Sequence, residues 1–211
     1  MPSSPPDPNP SARRQAGDAV LRAIAYVKSE AGAATPELPE AYRHLTDQLP
    51  VTLPLGNGLV VTYLYDDGEV YSYVQRHHLA SLNTRPEALH ELALVNLGRL
   101  ANGRARIFHH GAIHGVMLDQ QFEASLLLLD DFWDGPARAY TPHGAVAAVP
   151  SRGVLLFCDR DSAQGVAELR GHLAKGQAAG GIEISAELFA RDDAGDWSVL
   201  PPAAPAATSA P

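Results

Sequence analysis

The chain has a single cysteine, Cys158, among 211 residues. That excludes an internal disulfide and any zinc site built from several cysteines. Basic residues are also scarce: 16 Lys and Arg stand against 24 Asp and Glu, for a net charge of -8. Phosphate backbones are gripped by clustered Lys and Arg. With no basic run in the chain, nucleic acid is not an expected partner. No apolar run reaches the roughly 18 residues of a membrane helix, and no basic stretch followed by an apolar one opens the sequence. There is no Gly-rich loop closed by Lys and no Gly-x-Ser-x-Gly elbow. The simplest signatures of phosphate binding and serine hydrolysis are therefore missing. These absences lead to the expectation of a cytosolic protein with neither cofactor nor membrane partner.

What is present is patterned for an α+β fold. Residues 1–11 and 201–211 are rich in Pro, Ser and Ala without large apolar side chains, a composition that cannot bury enough surface to offset ordering entropy. They are expected as disordered tails around one α+β domain over residues 12–200. Residues 12–31 carry Ala19, Ala23, Tyr26 and Val27 at helical spacing, which predicts a helix stopped at Gly32. A short helix is expected around Glu40–Gln48. Val51–Leu55, Leu59–Tyr65 and Val70–Gln75 are separated by Gly56-Asn57-Gly58 and Asp66-Asp67-Gly68. This is the pattern of a three-stranded antiparallel meander. Thr84, Pro86 and Glu87 predict a capped helix running to Ala101, ended by Asn102-Gly103.

Ala105–His109 and Ile113–Leu118 read as strands. Phe122–Leu128 fits either a helix or a strand. The short preceding turn and the leucine run favour a strand that passes into a short helix near Asp130–Trp133. Ala145–Val149 and Val154–Cys158 follow as strands, Ser162–Ala178 as a helix, and Glu183–Arg191 with Trp197–Leu200 as a hairpin. The whole predicts a largely antiparallel sheet built from hairpins, with three or four helices packed on it.

Three segments carry a resemblance to a known family. They are Ala93-Leu94-Val95-Asn96-Leu97, Phe122-Glu123-Ala124-Ser125-Leu126-Leu127-Leu128-Leu129, and Val149-Pro150-Ser151-Arg152-Gly153-Val154-Leu155. In order and spacing, over about residues 60–160, they resemble the YtpQ-like family of uncharacterised bacterial proteins. The resemblance implies a bacterial cytosolic α+β domain and no agreed reaction. Members often carry Gly where this chain has Gln120, and an acid where it has Gly153.

Two sets of residues could carry chemistry. Asn96, Glu123, Ser125, Ser151 and Arg152 are polar residues beside or inside apolar segments. If the strands around residues 122–128 and 154–158 are neighbours, Arg152 can pair with Glu123. The set reads as a structural network or a polar pocket, because buried polar groups must be hydrogen-bonded. Histidines are abundant, nine in all, with His109, His110 and His114 clustered. His110 and His114, with Asp119 or Glu123, are the metal-ligand candidates, although the spacing lacks the helical pattern of a zincin. Ser125 and Ser151 have no neighbouring base motif, and Cys158 follows an apolar run as a small buried residue would. Asp66/Asp67 and Asp192/Asp193 suit turns, and Asp130/Asp131 suit a helix cap.

The leading functional expectation is a non-catalytic module that binds another protein. Analogy with small acidic domains that bind toxins makes an immunity-like role one version of it. The alternative is a metal-assisted hydrolase using His109, His110 and His114.

Overall fold

The structure is a computed structural model and describes residues 10–33 and 40–201. The expected tails lie outside these residues, apart from Pro10 and Ser11, which open the first helix, and Pro201. In chain order the elements are α1 (Pro10–Leu21), β1 (Ile24–Ser29), α2 (Glu30–Ala33), a 3₁₀ helix (Glu40–Gln48), β2 (Thr52–Gly56), β3 (Leu59–Asp66) and β4 (Tyr71–Tyr73). Then come α3 (Arg76–Leu82), α4 (Pro86–Ala101), β5 (Arg106–His110), β6 (Ile113–Met117), a 3₁₀ helix (Ala124–Leu128), α5 (Asp130–Asp134) and a 3₁₀ turn (Arg138–Tyr140). β7 (Ala145–Ala148), β8 (Leu156–Asp159), α6 (Ala163–Ala178), β9 (Leu188–Arg191) and β10 (Trp197–Val199) complete the fold. The class is α+β with antiparallel pairing throughout. The strands divide into two sheets, and six α-helices rather than three or four pack with them among the described residues.

The first sheet is centred on β3. β1 pairs along one side of β3, while β2 and β4 share the other side end to end. The expected meander β2-β3-β4 is therefore present, but β1 was expected as helix. Ala25 and Val27 are fully buried between β3 and α4. Pairing with β3 satisfies a row of backbone groups that a longer α1 would have met internally, so tertiary burial overrides the helical spacing. Gly32 lies inside α2 rather than stopping a long helix.

The second sheet has the order β10-β9-β7-β8-β6-β5. α6 covers one face, burying Leu169 and Leu173 against Ile113, Val146 and Cys158. Ser162 caps this helix by accepting a hydrogen bond from the Gly165 amide at 3.0 Å, as such a residue does at a helix start. At α4 the structure differs from expectation. The cap position is Arg85 rather than Thr84, with no side-chain cap bond, and Pro86 opens the helix.

The segment 122–137 sits between the sheets. Leu126, Phe132 and Trp133 pack with Val27, Val116, Phe157 and Phe189 in one cluster. Residues 124–128 form a 3₁₀ helix in place of the favoured strand. Both faces of this stretch are buried, so neither alternation nor a 3.6-residue stripe distinguishes the alternatives. The indole of Trp133 donates to the Leu126 carbonyl at 2.9 Å, which locks the turn onto α5.

Candidate functional site

The five polar residues singled out in the sequence do not form one pocket. Asn96, on α4, donates from Nδ2 to the carbonyls of Leu21 at 3.0 Å and Ala23 at 2.9 Å. It ties the α1–β1 connection to the helix. Ser125, fully buried, accepts from the Val27 amide at 3.1 Å. β1 pairs with β3 on one side only, so Ser125 satisfies an amide on its otherwise open edge.

Glu123 is 1% exposed. Its Oε1 accepts three backbone amides, from Leu118 at 2.8 Å, Asp119 at 3.0 Å and Gln120 at 2.8 Å. Gln120 adopts φ +64 in this turn, a left-handed conformation that non-glycine residues visit at a cost. A Cβ on Gly153 would lie 2.6 Å from the Gln120 carbonyl oxygen, so the two turns approach backbone to backbone.

The expected Arg152–Glu123 pair is corrected by this geometry. Glu123 turns toward the 118–120 amides, whereas Arg152 is exposed, with its side chain close to the Tyr26 hydroxyl. Only the Arg152 carbonyl approaches the segment, accepting from Ala124 at 3.0 Å. The Ser151 carbonyl accepts from Val154 within its turn.

The histidine cluster also separates. β5 and β6 are joined by a two-residue turn, Gly111-Ala112, with Gly111 at φ +61. His109 therefore faces His114 directly across the hairpin, with Nδ1 to Nδ1 at 2.9 Å. Both rings pack on Tyr140. Burial, with His109 beside it, holds His114 below the ordinary imidazole value. His110 points to the opposite face, its ring 5.7 Å from that of His172. The four-residue gap between His110 and His114 spans a hairpin turn, not one strand, so the two do not share a face. Asp119 is occupied in its own turn, with Oδ1 accepting from Gln121 and Phe122.

The aspartate pairs follow the same local logic. Asp67 and Asp192 accept backbone amides inside their turns. Asp130 makes no cap bond for α5. With Asp134 it grips the guanidinium of Arg191, at 2.7 and 2.8 Å.

Two arrangements emerge that the sequence reading missed. The first is a cluster at the open end of the β7–β8 hairpin. His143 Nδ1 lies 3.1 Å from Asp159 Oδ1 and 3.7 Å from Asp161 Oδ2. Asp159 also accepts the amides of His143 and Asp161, each at 2.9 Å. Burial would raise the Asp159 value, but these hydrogen bonds outweigh it and hold the carboxyl below its usual range. A legible signal existed: His143 and Asp159 flank two predicted strands, and the hairpin register, which pairs Ala145 with Asp159, brings His143 level with Asp161 and next to Asp159.

The second is an apolar groove of about 900 Å³ between α4, β5 and α5. Leu94, Val95, Ile107, Leu128, Leu129 and Phe132 line it, and Val95 is 50% exposed there. β5 is an end strand of the second sheet. In a two-residue hairpin the closing pair, here His110 and Ile113, exchanges both hydrogen bonds and the pattern alternates along the strands. The amides and carbonyls of Ile107 and His109 therefore face the open edge beside the groove. No family model, curated protein or solved structure matches the chain.

Proposed function

We propose that the protein is a binding module that takes an extended apolar segment of a partner protein along β5. The single observation that carries this reading is the apolar groove lying beside an unpaired strand edge. An added strand would bond the outward groups of Ile107 and His109, and its alternate side chains would enter the groove. Contiguous exposed apolar surface of this kind marks interaction sites. Asp131, at the groove, is exposed and has no cation partner among the described residues. It favours a segment carrying a basic residue beside its apolar run.

The excess of acid over base supports a protein partner rather than nucleic acid. Among the described residues no helix is long and apolar enough to cross a membrane. The one cysteine is free and buried, which agrees with a cytosolic setting.

Selection from a displayed peptide library tests the reading. Wild-type protein should enrich alternating apolar sequences with an adjacent Lys or Arg, and Val95→Glu should abolish the enrichment without lowering the melting temperature. No enrichment, or equal enrichment by the variant, overturns it. So does concentration-dependent self-association through β5, which would make a second copy the occupant.

A further inference from the structure

We propose that His143, Asp159 and Asp161 bind one divalent transition-metal ion of the zinc type. The donor set is one imidazole nitrogen and two carboxylate oxygens, and all three ligand atoms lie within 4.8 Å of one another. In tetrahedral coordination with bonds of about 2.0–2.1 Å, neighbouring donors sit about 3.3–3.4 Å apart. The separations of 3.1 and 3.7 Å from His143 Nδ1 bracket that edge length, and the shorter one is now bridged by a hydrogen-bond proton that an ion would replace. Small side-chain rotations would complete the site.

Charge points the same way. Two carboxylates converge here, and among the described residues neither is paired with Lys or Arg. Arg160, which lies between them in sequence, turns away to the Arg191 carbonyl. A divalent cation would complement the two carboxylates that converge beside His143.

The backbone holds the ligands in place. Asp159 ends β8 with its carboxylate clamped by two amides. The arm bearing His143 is fixed to the other by the Arg160 amide donating to the Gly144 carbonyl at 2.8 Å. Gly144 sits at φ +112, a conformation open to glycine, which lets His143 turn back over the hairpin. His143 and Asp161 are exposed. The fourth position therefore opens to solvent, as in zinc sites that keep a water. A nitrogen and oxygen set suits zinc, manganese or iron better than calcium or magnesium. The site shares no residue with the groove or with the His109–His114 pair.

The test is calorimetric titration of zinc into untagged protein cleared of metal by chelator and dialysis. Wild type should bind one ion per chain. His143→Ala and Asp161→Asn should each weaken binding at least tenfold with an unchanged melting temperature, since both side chains are exposed. A variant with His109→Ala and His114→Ala should bind as wild type does. Absence of stoichiometric binding overturns the proposal. So does wild-type affinity in His143→Ala, or loss confined to the His109/His114 variant.

Discussion

The Ser125 hydroxyl accepts a hydrogen bond from the Val27 amide across 98 residues of sequence, at 3.1 Å. Both residues are fully buried. Ser125→Ala leaves the Val27 amide without a partner in a dry site, at a cost of about 1–3 kcal/mol. Thermal or urea unfolding should show that loss, whereas Ser151→Ala, at a part-exposed turn, should be near neutral. Equal effects from the two would remove the role assigned to the Ser125–Val27 bond.

Glu123 collects three amides on one oxygen. Glu123→Ala strands all three, and the loss should be on the order of 3 kcal/mol or more. Glu123→Gln keeps an acceptor and should fold with a smaller loss. Denaturant titration of the pair checks this, and a neutral alanine variant would contradict the clamp.

Stability should fall as the solution is acidified below neutrality. Burial, with His77 adding to it, holds His78 below the ordinary imidazole value, and burial does the same for His90 and His114. A depressed folded value means the unfolded chain takes up protons first. The contribution is complete above the unfolded value near 6.5 and is lost as pH falls through the folded value. His78 Nδ1 also accepts the Gln75 amide at 3.1 Å, a bond that protonation breaks. The melting temperature should drop between pH 7.5 and 5, and His78→Gln should shrink the drop. An unchanged pH slope in that variant would point away from His78.

Cys158 should be inert in the folded protein. Burial, with Asp159 and Glu168 nearby, pushes its thiol up to about 12, and it is fully buried. The thiolate is the reactive form. A colorimetric thiol reagent should titrate one group in denaturant and none in native buffer over an hour. Rapid native labelling would show that the β8–α6 contact opens far more often than its packing implies.

The hairpins were legible because their turns are chemical statements. Gly56-Asn57-Gly58 holds three residues at positive φ, and Asp67 caps its own turn. β1 was illegible because Ala23, Tyr26 and Val27 suit a helix stripe as well as a strand. Only β3 and Ser125, distant in sequence, decide between them. The leucine run at 126–129 failed for a related reason: burial on all sides erases periodicity. The role of Asn96 could be read from its place among the apolar residues of α4, because an amide there must find partners, and the half-buried side chain does so at Leu21 and Ala23. The His143, Asp159 and Asp161 cluster carries no local motif, since its members meet only through hairpin register.

The arrangement around β1 has a consequence for how the protein is made. β1 can pair with β3 once about seventy residues have left the ribosome, yet Ser125, which bonds its outer edge, and Asn96, which ties the connection leading into it, are still unsynthesised. For that interval the nascent chain presents an open strand edge, the surface on which neighbouring polypeptides stack. Translation speed between residues 66 and 125 therefore sets how long the chain is vulnerable, and slowing it should raise the aggregated fraction.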